Sequence, residues 1–529
     1  MLKRSLSFTG KKRLIKVGQT PLEKHPLSAS LEQNLTELQK IFDLCADVVF
    51  RKFTLNCEPP INAVAVFADT LIDVKSGSET ILKVIMQETT SLPENVRITK
   101  SNAIQILNER LLTAMNTKIT RDFLELADFV LTGRVAIVID GSSSVLTCYV
   151  GGSPGRIIEE PITEPVVRGP RDGFVEDYKI NLSLIRRRIK SSRLKVELLE
   201  VGAISKTVVA LCYIKGIVED SLIEEVKTRI NRIRMDVVNG SGTIEEMITD
   251  QPLSLFPLVE YTERPDKVAG SLAEGKVAIF VDNTPMTLIA PTTFISLLQA
   301  SEDYDNAFIY ASFVRLIRVV SLHIALLLPA ITVAIMTFHQ EIIPDKLMGV
   351  VLTSRKELPF PIVVEVLFME MFFEILREAG VRLPRTIGQS VSIVGGLVIG
   401  QASVNAGFVG YIAVIVVALT AVASFAIPNY AAGTAIRILR FGLIILASIM
   451  GGVGIMMGLM FILFYLCGVR SFGVPYLSPI APLIPRDLKD TFIRVPWWAM
   501  LTRPTFTGTK ELVRMDTNQG STKPNKGKE

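Results

Sequence analysis

Three carboxylates stand in one otherwise apolar stretch, Pro359 to Leu376: Glu365, Glu370 and Glu374. A carboxylate at the centre of a bilayer costs about 2.5–3.5 kcal/mol on insertion scales, so such groups persist only where something compensates them. Glu370 and Glu374 are four residues apart and Arg377 follows three later, which places all three on one helical face. Either this helix lies at the membrane interface or its acidic face lines something wet. A second pattern is uncharged. Gln389, Ser392, Gly396, Gly400 and Ser403 recur at steps of three and four along an otherwise apolar segment. Such a stripe serves close helix packing, because small residues let backbones approach, or it forms a pore wall of uncharged polar groups. A third is the run VRGPRDGFVED, in which Arg168, Gly169, Pro170, Arg171, Asp172 and Gly173 make either an interaction loop or a solvated turn tied by local ion pairs.

The residue types that drive catalysis are sparse. The three histidines, His25, His323 and His339, have no second His or Cys at metal-ligand spacing. No GxxxxGK[ST], GxSxG or HExxH is present, and no GxGxxG follows a strand. The loop with Gly151, Gly152 and Gly155 lacks the Lys and Ser/Thr of a phosphate loop. The expectation is a protein that is not an enzyme and takes no metal or cofactor. The five cysteines (Cys45, Cys57, Cys148, Cys212, Cys467) are odd in number, scattered and without a CxxC, so they read as reduced thiols of a cytoplasmic domain. Met1 to Gln19 is basic without an apolar run, which fits an arm near anionic lipid rather than a secretory signal or a nucleic-acid binder.

The elements that must position these residues fall into two halves. The chain has 529 residues, 49% of them hydrophobic and 21% charged, with a net charge of +5 and a mean hydropathy of +0.40. Thr386 to Ile436 and Phe441 to Val469 contain no Asp, Glu, Lys or Arg. A span needs about 20 mainly apolar residues, so the first run holds two spans and the second holds one. Five apolar segments follow: Val319 to Phe338 with Pro329 expected to kink it, Pro359 to Leu376, Thr386 to Val404, Tyr411 to Ile427, and Phe441 to Cys467 with Gly451, Gly452, Gly454 and Gly458 as a place to tilt or break. After Gly468 the chain holds ten Lys/Arg against five Asp/Glu, which argues that this tail stays inside with the N-terminal domain. That requires an even number of spans. The glutamates make Pro359 to Leu376 the candidate for a non-spanning segment, at the cost of placing Arg437 and Arg440 outside.

Residues 35–315 alternate short strands with amphipathic helices, the pattern of an α/β domain. TGRVAIVIDGS (Thr132 to Ser142) recurs as EGKVAIFVDNT (Glu274 to Thr284). Each block is a turn Gly, a β-branched strand and an Asp turn leading into a second strand, which fits two related subdomains of about 35–155 and 156–315. The expected organisation is a basic arm (1–34), this cytoplasmic α/β domain, a helical transmembrane domain of four to five segments (316–470) and a cytoplasmic tail (471–529).

Several long runs resemble one family. RTIGQSVSIVGGLVIGQASVNAGFVG (Arg385 to Gly410), FMEMFFEILREAGVRLP (Phe368 to Pro384), RSFGVPYLSP (Arg470 to Pro479) and FHQEIIP (Phe338 to Pro344) are similar to the A subunits of GerA-family spore germinant receptors. So are VRGPRDGFVEDYKINLSLIRRRIK (Val167 to Lys190), VEYTERPDKV (Val259 to Val268) and SEDYDNAFIYASFVRLIR (Ser301 to Arg318). The resemblance implies a multi-pass nutrient receptor subunit in the inner spore membrane. It implies assembly with a transporter-like B subunit and a lipoprotein C subunit, and homo-oligomerisation into a nutrient-gated cation channel. It also raises an assembly role for the Arg168 to Gly173 loop. A late-sporulation paralogue that amplifies germination carries the same motifs; a transporter or scaffold subunit are the other functional classes to weigh.

Overall fold

β-Branched and small apolar residues run almost without interruption through INAVAVFA, RVAIVI and VAIFV, which suits strands covered on both faces. The computed structural model describes residues 25–73, 81, 85, 98–111, 116–150, 159–161, 163–356, 358–382 and 400–516. Ten strands form two antiparallel sheets: β1 (Val48–Leu55), β2 (Ile61–Ala68), β3 (Thr117–Thr120), β4 (Arg134–Ile139) and β5 (Val145–Tyr149) in the first, and β6 (Leu194–Val201), β7 (Thr207–Ile214), β8 (Glu260–Thr262), β9 (Val277–Val281) and β10 (Thr287–Ala290) in the second. The spatial orders are β1-β2-β4-β5-β3 and β6-β7-β9-β10-β8, so the second sheet repeats the first strand for strand. The sequence repeat is the central hairpin of each. Gly133 and Gly275 take the same left-handed turn (φ +84° and +85°), and Gly141 (φ +87°) is matched by Asn283 (φ +67°). Of these two, only the asparagine carries a Cβ into that region, which its short polar side chain tolerates.

Alternate residues of each strand feed opposite cores. Ala65 and Ile137 enter one cluster and Val66 and Ala136 another; Leu211 and Ile279 are likewise separated from Ala210 and Phe280. Helices α1 (Leu31–Ile41) and α2 (Phe123–Val130) cover one face of the first sheet. Helices α3 (Tyr178–Arg188), α4 (Asp220–Arg232), α5 (Ser241–Ile248) and α6 (Pro265–Ala273) cover the second sheet on both faces. The short helix Ala103–Ile106 continues as a π-helix to Leu111; the helix expected at Glu79 to Gln87 lies largely outside the described residues. The two sheets are locked together at Asp47 and Arg186, whose side chains meet in a two-pronged pair (2.7 and 2.8 Å) sealed from solvent. Beside it Ala46 N–H donates to Val196 O and Val196 N–H to Leu44 O, both at 2.9 Å.

The helical half is built from α7 (Phe308–Thr337), α8 (Asp345–Arg355), α9 (Ile362–Arg382), α10 (Tyr411–Phe425) and α11 (Tyr430–Gly468). Two of these, α7 and α11, are long and apolar enough to cross a membrane. The near end of α7 is fixed to the α/β half, where Arg315 and Arg318 share Asp303 (2.8 Å each) and Arg315 also reaches Asp490 (2.7 Å). The helix runs on through Pro329 to its far end at Phe338 and His339. There it meets the middle of α11: Gly452 N–H donates to His339 Nε2 at 3.1 Å.

That contact exposes the shape of α11. Its thirty-nine residues would make a rod of about 58 Å at 1.5 Å rise per residue, yet it is not a rod. Gly451 has φ +59° and ψ −137°, a backbone turn that breaks the helix. Beyond it the chain folds back on itself: a Cβ at Gly454 would overlap the Leu446 carbonyl oxygen, and one at Gly458 would overlap the Leu443 side chain. Along a straight helix those partners would be too distant to touch. The element is therefore a helical hairpin whose arms, 430–450 and 452–468, pack antiparallel with the turn at the far end. Both feet stand at the α/β half. Tyr430 lines a crevice with Tyr261, and Tyr465 OH donates to Gln251 at 3.5 Å. The segment expected as one span from Phe441 to Cys467 thus holds the turn and parts of two antiparallel arms.

After the hairpin the tail returns to the second subdomain. Ser471 Oγ donates to Leu258 O (2.6 Å), and Arg503 donates to Ala273 O (2.8 Å) and Val513 O (2.6 Å). Lys510 N–H donates to Ile217 O at 3.0 Å.

Candidate functional site

Helix α9 runs in the opposite sense to α7. At its far end Glu365 pairs with Arg355 (3.2 Å) and accepts the Gly410 N–H (2.8 Å). Towards the near end Glu370 meets Arg440 at 2.8 Å, both side chains 1% exposed. One turn on, Glu374 lies 3.4 Å from both Arg437 and Arg440 and 3.8 Å from Arg377. Arg377 and Arg437 flank the Tyr430 ring, 5.4 and 5.7 Å from its centroid. The face expected from spacing thus gathers Glu370, Glu374 and Arg377, and the first arm of α11 supplies two partners that spacing did not reveal.

Pro359 to Leu376, the candidate for a non-spanning segment, forms most of α9, which is part of the helix bundle. The helix packs inside it because its carboxylates are neutralised by arginines 63 to 70 residues away in sequence. This arrangement places Arg437 and Arg440 at the near end. Two carboxylates face three guanidinium groups. Its hydrogen bonding is incomplete: both Glu370 carboxylate oxygens, Arg440 Nε and Nη1, and Arg377 Nη1 are buried without a well-aligned partner. A buried ionic layer of this kind adds little stability over an apolar one.

Of the polar stripe, Gln389, Ser392 and Gly396 lie outside the described residues. Gly400 is buried in the short helix Gly400–Asn405, and the Ser403 carbonyl accepts the Phe408 N–H (2.9 Å) where that helix ends. In the third pattern Arg168, Gly169, Pro170 and Arg171 are exposed. They are held from beneath. Arg188 Nη2 donates to both Asp172 carboxylate oxygens (2.6 and 2.7 Å), Arg264 donates to Pro170 O (3.0 Å), and Gly173 is buried under Glu159 O. A loop pinned this firmly with its charged tip in solvent presents a fixed surface. Among the described residues no group of three or more His, Cys, Asp or Glu could hold a metal ion.

Residues 36–506 match the model of the GerA family, described as Bacillus/Clostridium GerA spore germination protein. The chain is 42% identical to spore germination protein KA of Bacillus subtilis (strain 168), over 93% of this chain and 89% of that protein. It is 39% identical to spore germination protein GerQA of Bacillus cereus, over 84% and 87%. Among solved structures it is similar to the N-terminal domain of the A subunit of the Bacillus megaterium spore germinant receptor GerK3, with 30% identity, a TM-score of 0.42, and coverage of 51% of this chain and 98% of that one. A match that runs through both the duplicated α/β half and the helical half leaves one assignment: the chain belongs to the GerA family of spore germination proteins.

Proposed function

We propose that the chain is the A-type subunit of a nutrient germinant receptor, seated in the inner spore membrane with its α/β half and tail on the core side. In this reading it assembles with a transporter-like B subunit, a lipoprotein C subunit and further copies of itself to form a nutrient-gated cation path. In this reading the helical half passes the membrane six times: α7, α9, the apolar segment expected from Thr386 to Val404, α10, and the two arms of α11. The observation that carries the reading is the ionic layer of Glu370, Glu374, Arg377, Arg437 and Arg440 between α9 and α11, in which the Glu370–Arg440 pair is sealed and under-bonded. Charged groups inside a membrane bundle mark ion or substrate pathways far more often than anchors. The stripe from Gln389 to Ser403 supplies the uncharged wall of the same path. The α/β half couples ligand and partner binding to the helices through α7 and the tail, and performs no catalysis.

Cation flux from the purified chain reconstituted in liposomes tests this. Flux that changes in conductance or leak with Ser392→Ala or Glu370→Gln, at unchanged protein content, supports a conduction path. Saturable exchange would make it a transporter, and absence of flux with and without the B and C subunits would leave a scaffold.

A further inference from the structure

A cleft of about 500 Å³ opens where the α/β half meets the near ends of α7, α9, α10 and α11. Four arginines and two glutamates line it. Both glutamates are engaged elsewhere: Glu164 pairs with Lys267 (3.2 Å), and Glu302 accepts the Val167 N–H (2.5 Å). Arg264 is held by Asp266 (2.8 Å) and the Pro170 carbonyl (3.0 Å). The other three come from three different helices: Arg318 of α7, Arg377 of α9 and Arg437 of α11. Arg318 pairs with Asp303 at 2.8 Å. Arg377 and Arg437 share Glu374 with Arg440, at 3.8, 3.4 and 3.4 Å, so one carboxylate serves three guanidinium groups. Arg377 Nη1 is left without a hydrogen-bond acceptor. Helix α11 also starts here. Asn429 caps it by accepting the Ala432 N–H (3.0 Å), and the positive end of the helix dipole faces the same space.

An apolar track leads into this cleft. On α10, Ile415, Leu419, Val422 and Phe425 recur at steps of four, three and three and are 48–67% exposed. They form one open face of the helix, and Phe425 is part of the cleft wall. Arginines gathered at the end of an apolar track fit one kind of molecule. We infer that the cleft holds an anionic phospholipid of the core-side leaflet, its phosphate among Arg318, Arg377 and Arg437 and an acyl chain along the open face of α10. The inference rests on the proposed seating of the helical half in the membrane with the α/β half on the core side. Basic pockets between helices on that side are where anionic headgroups dock, and the guanidinium fork matches phosphate oxygens. A zwitterionic headgroup brings its own ammonium among the arginines and is disfavoured. Three helices and the α/β half contribute to the wall, so a bound lipid would tie the two halves of the chain together.

Native mass spectrometry of the full chain in detergent, equilibrated with equal amounts of dioleoyl phosphatidylglycerol and dioleoyl phosphatidylcholine, tests the inference. Phosphatidylglycerol should be retained in preference. Arg377→Gln should weaken its retention about five-fold, the weight of one basic residue beside an anionic lipid surface. Arg382→Gln should leave it unchanged, because that exposed arginine of the same helix pairs with Glu378 outside the cleft. Gly433→Leu changes no charge. A Cβ at Gly433 meets only Arg437 Nη1, at 3.8 Å, so the leucine enters the cleft and should expel the lipid. The preference of the unsubstituted chain is read without any variant, so misfolding of a variant does not shelter the inference. Equal retention of the two lipids, or equal losses in Arg377→Gln and Arg382→Gln, would overturn it. So would displacement of phosphatidylglycerol by inorganic phosphate, which means a free-anion site. Disulfide cross-linking of Val422→Cys between two copies with no lipid retained would also overturn it, with a second chain as the occupant. A chain shown by side-specific labelling to span the membrane, yet without lipid preference, loses this site alone.

Discussion

Arg186, Arg187 and Arg188 are consecutive in sequence and meet three different fates. About 100° of helical rotation between neighbours puts Arg186 in the seam between the two sheets against Asp47, Arg187 in solvent, and Arg188 under the Arg168 to Gly173 loop against Asp172. The seam pair is fully enclosed, so removing one partner strands the other. Asp47→Ala should lower the unfolding free energy of the chain by about 3–5 kcal/mol. Lys179→Ala breaks a pair across the same two subdomains, with Asp69 at 3.1 Å, but its lysine is half exposed and the change should cost under about 1 kcal/mol. Chemical denaturation of the two variants checks the contrast, and equal losses would show that the seam is hydrated. The sequence displays three arginines but cannot say which one is buried, because Asp47 sits 139 residues earlier in an unremarkable stretch.

At the scale of elements the α11 hairpin decides how the helical half is threaded. Its turn rests on Gly451, and its arms approach so closely at Gly454 and Gly458 that no side chain fits without displacing a neighbour. Leucine at Gly454 strikes backbone, which cannot give way, so Gly454→Leu should abolish the folded chain or cost at least the 1–3 kcal/mol typical of overpacking. Gly442 lies on the outer surface of the first arm with nothing within 4 Å of a Cβ; Gly442→Leu should be close to neutral. Fluorescence-detected melting of the two in detergent separates them, and matching curves would mean that the arms are not packed. Four glycines in the middle of an apolar run announced a possible break. Composition alone could not distinguish a bend from a full reversal, because that depends on which surfaces the two arms share. The partners of the α9 glutamates were hidden for a related reason. The cost of the glutamates was read against lipid, whereas their actual neighbours, Arg437 and Arg440, stood at the edge of a different segment.

For the whole molecule, the duplicated α/β half was the most legible part. TGRVAIVIDGS and EGKVAIFVDNT proved to be the same hairpin in two sheets of identical strand order. The tail was legible only as basic. Its role as a strap over the second subdomain comes from backbone carbonyls, Ala273 O and Ile217 O among them, which no side-chain pattern records. The account's central claim is that α7, α9, the apolar segment expected from Thr386 to Val404, α10 and both arms of α11 carry the chain through the membrane six times, with the α/β half and the tail on one side and the turn at Gly451 on the other. Single cysteines placed at Lys190, Glu341 and Lys510 in an otherwise cysteine-free chain, probed with an impermeant thiol reagent in oriented vesicles, test it directly. The account predicts that Lys190→Cys and Lys510→Cys react from the same side and Glu341→Cys from the other; reaction of Lys510→Cys from the side opposite Lys190→Cys, or of all three from one side, would contradict it.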